Sequence, residues 1–226
     1  MSPRPDSLKT LFPLFATTEA TTLSNLLSAA TELSYPAGRT VLMEDSWGNA
    51  VYLILSGWIK VRHDTSNSYD TLAVLGKGDF FGEMAILDES PRSTDVVALS
   101  AVNLITIPAQ HFIDILFQDS LLHHRMLQMM VQRLRHTNSR LEIRHKPPAV
   151  KLAHTLTSLA QAYGQRRGET IEILNLPTED LAAVADISKE EVTKIMDKLT
   201  EKGWIAVQEN TLTVKSVDSL IQLANK

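Results

Sequence analysis

A glycine, a glutamate and an arginine share one short stretch, Phe80-Phe81-Gly82-Glu83-Met84-Ala85-Ile86-Leu87-Asp88-Glu89-Ser90-Pro91-Arg92-Ser93-Thr94. Gly82 has no Cβ, so the backbone there can approach a ligand closely. Glu83 can accept a hydrogen bond from a sugar hydroxyl. Arg92 presents a rigid fork of donors suited to a phosphate, and Ser93 adds a hydroxyl. One acid for a sugar and one arginine for an anion suit a single small nucleotide. The same spacing also fits a surface loop closed by a Glu–Arg ion pair.

A second constellation spans residues 178–202. Ser188 followed by Glu191 has the form of a capping box, so a helix should begin at Lys189. Val192, Ile195, Met196 and Leu199 make its apolar stripe, which leaves Lys189, Glu190, Thr193 and Lys194 outward near the N-terminal end. In a helix-turn-helix that end meets base edges in the major groove. Lysine can donate to guanine and glutamate can accept from cytosine. Residues 151–226 nevertheless hold 9 Lys/Arg against 11 Asp/Glu, a net of −2. DNA binding therefore requires segregated charge, and a helix-turn-helix used for protein contact is the competing reading.

Composition narrows the chemistry. The 226 residues are 44% hydrophobic and 21% charged, with a net charge of −4, enough for one large domain or two smaller ones. The absence of cysteine excludes disulfides, thiolate catalysis and Cys-ligated zinc or iron–sulfur clusters. Seven scattered histidines and the lack of a P-loop argue against an enzyme. Residues 1–15, punctuated by Pro3, Pro5 and Pro13, hold no apolar run long enough for a signal peptide or membrane span, which leads us to expect a cytoplasmic protein without a membrane partner.

The elements that must carry these residues change period near residue 110. Before it, short apolar runs predict strands over 40–43, 51–55, 58–62, 71–75, 96–99 and 102–107, with a polar loop at 64–69 and Gly-rich turns between. That spacing is typical of a β-sandwich or barrel of jelly-roll type. After it, Leu127, Met130, Leu134, Thr137 and Leu141 are spaced 3, 4, 3 and 4 apart, as in a coiled-coil seam. The helix is expected to run from Ser120 to Lys146, with Arg125, Arg133, Arg135, Arg140 and Arg144 outward, and to stop at Pro147-Pro148. A small β-domain cannot cover every turn of so long a helix, whereas a two-fold partner helix could. Beyond the prolines the pattern predicts a helix over 149–163, a polar turn at 164–168 and a strand over 170–174. Helices over 178–185 and 189–202, a hairpin across 204–215 and a terminal helix complete it.

The segment FGEMAILDESPRST strongly resembles the phosphate-binding cassette of cyclic-nucleotide-binding domains, and the upstream YPAG, YLILSGWIKV and LGKGDFFGE match too. With the long helix and C-terminal part, the chain is similar throughout to the CRP/FNR superfamily of transcription regulators. The resemblance implies an α+β fold. Its parts are an N-terminal double-stranded β-helix over 1–118, a dimerisation helix over 119–146 and a winged helix-turn-helix over 147–226. It implies that Glu83 binds a ribose 2′-hydroxyl, that Arg92 and Ser93 bind the cyclic phosphate of cyclic AMP, and that backbone donors come from Gly82 to Met84. It places Thr137 and Asn138 against the base, from the two subunits respectively. Thr137 alone would equally serve as a polar register residue of the seam. The implied partners are a second copy of the chain, a near-palindromic double-stranded DNA site and RNA polymerase. A regulator of the same fold sensing another ligand, or none, is the alternative. Three departures stand out: Asn138 for serine, Glu44-Asp45-Ser46 for a Glu-Gly-Asp turn, and the charge of Asp95 just after the cassette. Asp186 also replaces a usual turn glycine.

Overall fold

The structure is a computed structural model and describes residues 5–65 and 68–226; Pro3 lies outside the described residues. By packing, the chain divides into two compact units, Met1–His136 and Thr137–Lys226.

In the first unit, α1 (Pro5–Leu11), a 3₁₀ turn (Pro13–Phe15) and α2 (Ala20–Ser28) precede the strands. The strands are β1 (Thr31–Tyr35), β2 (Thr40–Leu42), β3 (Ala50–Ser56), β4 (Ile59–Thr65), β5 (Ser68–Leu75) and β6 (Phe80–Phe81). A one-turn helix, α3 (Met84–Leu87), is followed by β7 (Asp95–Ala98), β8 (Val102–Pro108) and α4 (Ala109–Gln118). Two four-stranded antiparallel sheets result, ordered β1-β8-β3-β6 and β2-β7-β4-β5.

The continuous apolar run of β3 is explained by burial on both faces. Tyr52 and Ile54 pack between the sheets with Phe81 and Leu104. Val51 and Leu53 point the other way, into a core with Phe80, Ile105 and the helical residues Phe12, Phe15 and Phe112. The expected loop at 64–69 is instead the end of the β4–β5 hairpin, with Asp64 opposite Tyr69 and Thr65 opposite Ser68. Residues 66 and 67, part of that expectation, lie outside the described residues.

The long helix α5 (Ser120–Glu142) has 23 residues, about 35 Å. It ends four residues before the expected Lys146. The amides of Arg144 and Lys146 bond three residues back, to Leu141 and Ile143, so the chain tightens before Pro147. Its arginines are not all outward: Arg125 Nε donates to the Pro13 carbonyl at 2.9 Å, and Arg133 and Arg140 also turn back onto the protein. Leu127, Leu134 and Leu141 of the seam are 55%, 60% and 60% exposed.

In the second unit, α6 (Pro148–Tyr163) leads to β9 (Gln165–Arg167), β10 (Thr170–Leu174), α7 (Thr178–Ala185) and α8 (Lys189–Glu201). The hairpin β11 (Ile205–Val207) and β12 (Thr211–Val214) and then α9 (Val217–Ala224) close the unit. The sheet order is β11-β12-β10-β9. The expected turn at 164–168 is largely strand, since Gln165–Arg167 pair with β10 around the left-handed Gly168. Among the described residues no helix is long and apolar enough to cross a membrane.

Candidate ligand site and DNA-reading helix

The cassette is built where β6 ends and α3 begins. Gly82 has φ +84, a left-handed conformation natural to glycine. A Cβ there would lie 3.0 Å from Nη1 of Arg92, 3.1 Å from the Ala50 carbonyl and 3.1 Å from the Tyr52 ring. Glu83 caps α3, its carbonyl accepting from the Ile86 and Leu87 amides at 3.1 and 2.9 Å, and only 2% of the residue is exposed. Arg92 is 5% exposed, its guanidinium 5.8 Å from the centre of the Tyr52 ring. The sequence residues Gly82, Glu83, Met84, Arg92 and Ser93 are thus brought to one edge of the β-roll. Met84 and Ser93 are exposed.

The Glu–Arg pair left open by the sequence takes another form. The partner of Glu83 is Arg133 of α5, whose Nη1 donates to Oε1, while its Nη2 donates to the Phe80 carbonyl. Its guanidinium also lies 4.4 Å from the centre of the Phe80 ring. Burial pushes the Glu83 carboxyl above the ordinary range, while Arg133 and, less strongly, Arg92 pull it down. Burial likewise lowers Arg92, against the opposing pull of the Tyr52 hydroxyl and Glu83. Among the described residues no carboxylate lies within ion-pair distance of the Arg92 guanidinium, so its donors remain suited to an anionic ligand.

Sequence reasoning missed Arg133. Its signal was spacing: Leu122, Met126, Met129 and Arg133 recur at 4, 3 and 4 residues, so Arg133 extends the stripe that faces the β-roll core. Thr137 and Asn138 are exposed on α5, one and two residues beyond the first unit.

In the second unit α7 and α8 are joined by Asp186, Ile187 and the N-cap Ser188, with Asp186 left-handed at φ 53 and ψ 52. Aspartate tolerates this conformation better than most residues, and here Lys151 of α6 holds it. The lysine donates to the Asp186 carbonyl at 2.7 Å and to its carboxylate at 2.9 Å. The capping box is present: Glu191 N–H donates to Ser188 Oγ at 3.2 Å and Ser188 N–H to Glu191 Oε2 at 2.9 Å. Val192 and Leu199 are buried, and Ile195 and Met196 half-buried, beneath α8. Lys189, Glu190, Thr193 and Lys194 are all exposed at its N-terminal end. Lys189 is ion-paired with Glu179 of α7, and the Thr193 hydroxyl donates to the Lys189 carbonyl at 3.1 Å. The backbone amide at Glu190 and the Ser188 hydroxyl hold the Glu190 carboxyl below the ordinary range, so it is an acceptor at neutral pH.

Residues 32–119 match the cyclic nucleotide-binding domain family, and residues 150–223 the Crp-like helix-turn-helix domain family. The chain is similar to a CRP-like cAMP-activated global transcriptional regulator of Mycobacterium tuberculosis, with 24% identity over 93% of this chain and 96% of that one. It is 29% identical to a cyclic AMP receptor protein of Thermus thermophilus, over 84% and 86% of the two chains. The solved catabolite activator protein of the same organism superposes with a TM-score of 0.52 at 26% identity, covering 94% of this chain and 98% of that one. With both family matches in order along one α+β chain, the protein belongs to the CRP/FNR superfamily, a family of transcription regulators rather than of enzymes.

Proposed function

We propose that the protein is a homodimeric regulator that binds cyclic AMP in its β-roll and reads a near-palindromic DNA site with α8. The observation that carries the ligand reading is the enclosure of Glu83 and Arg92, 2% and 5% exposed, around a left-handed Gly82 whose missing Cβ keeps the space beside Arg92 open. Glu83 is paired with Arg133, but a buried guanidinium with no carboxylate in ion-pair reach, as at Arg92 among the described residues, is costly unless it serves a partner. A cyclic phosphate is such a partner. In this reading Glu83 accepts the 2′-hydroxyl, and Arg92 and Ser93 hold the phosphate. Backbone amides from Gly82 to Met84 assist, and Thr137 and Asn138 meet the base.

The uncovered leucines of α5 support dimerisation, since a second copy of the helix would bury them at about 25 cal/mol per Å². In functional terms, residues 1–118 bind ligand, 119–146 dimerise and 147–226 read DNA through Lys189, Glu190, Thr193 and Lys194. RNA polymerase is the expected further partner. A regulator that reads chromosomal DNA works in the cytoplasm. Ligand acts by binding one of two settings of the dimer more tightly than the other.

Calorimetric titration of the purified chain with cyclic AMP, cyclic GMP and a cyclic dinucleotide tests the ligand. Preference for cyclic AMP supports the reading. Binding of another nucleotide, or of none, moves the protein to the alternative of the same fold with a different signal.

A further inference from the structure

The two departures nearest the cassette, Glu44-Asp45-Ser46 and Asp95, meet each other in the structure. Asp95 opens β7 and lies opposite Arg62 in the β4–β7 ladder. Its Oδ2 accepts from Arg62 Nε at 3.2 Å and Nη2 at 3.0 Å. Its Oδ1 accepts from the backbone amide of Glu44 at 2.9 Å. One carboxylate therefore joins the β4 strand to the entry of the turn after β2.

That turn in turn holds the main chain of Arg92. Asp45, left-handed at φ 61, donates its amide to the Arg92 carbonyl at 2.9 Å. The Ser46 carbonyl accepts from the Arg92 amide at 2.9 Å. Both backbone groups of Arg92 thus rest on residues 45 and 46, and the next pair, Trp47 and Pro91, continues as an isolated antiparallel bridge. The Glu44 side chain is braced by His63 Nδ1 at 2.8 Å. A closed ring runs from Arg92 to Asp95 along the chain, across to Glu44, along to Ser46 and back to Arg92.

The ring accounts for the left-handed backbone at position 45. A left-handed non-glycine residue is unfavourable unless its surroundings hold it there. Here a carboxylate bond on one side and a pair of backbone bonds on the other do so. The Arg62–Asp95 pair is only 19% and 16% exposed, so it is poorly screened and its charge-assisted bonds are strong.

We propose that Asp95 is a positioning residue for nucleotide binding: with Arg62 as its counter-charge, it sets the 44–46 turn and through it the backbone from which Arg92 reaches the cyclic phosphate. It touches no ligand itself. This rests on the assignment of Arg92 to the phosphate.

The test is a double-mutant cycle read by calorimetry with cyclic AMP on the full chain: wild type, Asp95→Ala, Arg92→Ala and the pair. Asp95→Ala should weaken binding about tenfold, which corresponds to about 1.4 kcal/mol. In the Arg92→Ala background the same change should weaken it less than twofold, because no guanidinium is left to misplace. A general loosening of the β-roll would lower affinity by the same factor in both backgrounds, and that result overturns the proposal. Unchanged affinity of Asp95→Ala, with Arg92→Ala impaired, also overturns it and leaves the ligand site intact. No cyclic-nucleotide binding by wild type overturns both. Should Asp95→Ala not fold, Asp95→Asn carries the test. It keeps the acceptor for the Glu44 amide and loses the charge facing Arg62. A loss of about threefold, again confined to the background containing Arg92, is then required.

Discussion

Replacing Arg133 by methionine removes the cation from a carboxylate that is 2% exposed, and the effect must depend on pH. An unfolded glutamate titrates near ~4.3, whereas burial already holds the folded Glu83 above the ordinary range, with Arg133 as the largest opposing influence. Between the two values the native state binds more protons than the unfolded chain, so stability falls as pH rises through that window. Below the unfolded value both states are protonated and the liability vanishes. Arg133→Met pushes the folded value higher still, so its deficit relative to wild type should widen as pH rises from the already raised wild-type value of Glu83 toward that of the variant.

Removing one member of a fully buried pair costs about 3–5 kcal/mol. The Arg133 side chain is 34% exposed, so solvent screens part of the interaction and about 2 kcal/mol at pH 7 is the appropriate size. Part of the loss, from the Phe80 carbonyl and ring contacts, is independent of pH. Thermal unfolding of the β-roll, followed by near-ultraviolet dichroism from pH 4.5 to 8, should show a lowering of Tm by roughly 6–10 °C at pH 7. The gap between variant and wild type should be clearly smaller at pH 4.5. Adding Glu83→Gln to Arg133→Met should flatten that dependence, since a neutral amide has no charge to desolvate. A deficit constant across pH, or one that survives Glu83→Gln with its slope unchanged, would refute the electrostatic account.

Gly82→Ala combines a disfavoured positive φ with a methyl 3.0 Å from Arg92 Nη1, so cyclic AMP affinity measured by calorimetry should fall at least about tenfold; full affinity would mean that this space is not the ligand's. Leu134→Asp places a charge at a seam position 60% exposed in the isolated chain, and sedimentation should show a dimer become a monomer; a monomeric wild type would remove the argument. Lys189→Ala with Lys194→Ala should change the motif recovered from random duplexes, with about 1–3 kcal/mol of discrimination lost per base contact, and an unchanged motif would show that these residues do not read bases. Glu179→Gln releases Lys189 from its ion pair, so non-specific DNA affinity should rise and depend more steeply on salt; identical salt slopes for the two proteins would contradict this.

Local rules made several features readable from the chain alone. The capping box at Ser188 and Glu191 involves atoms three residues apart, so its geometry follows from the helix itself. The α5 seam and the α8 stripe are likewise periodicities of one helix, and the run 51–55 announces a strand buried on both faces. Gly82, Glu83 and Arg92 were visible because the cassette is a contiguous segment. Features set by distant partners were not readable. Pro5 and Pro13 look like interruptions in sequence, yet one opens α1 and the other the 3₁₀ turn, because Leu8, Phe12, Phe15, Leu23 and Leu26 find a common core. β1 carries an exposed pattern with no alternation and exists through its pairing with β8. Arg133 sits 50 residues from Glu83, and Asp95 51 residues from Glu44. Residue type and spacing could say that an acid and an arginine were available, but a pair forms only where sheet order and helix placement bring two chain segments within hydrogen-bond distance. That choice belongs to the tertiary structure, because burial in a common core decides which of several equally plausible charged partners meet.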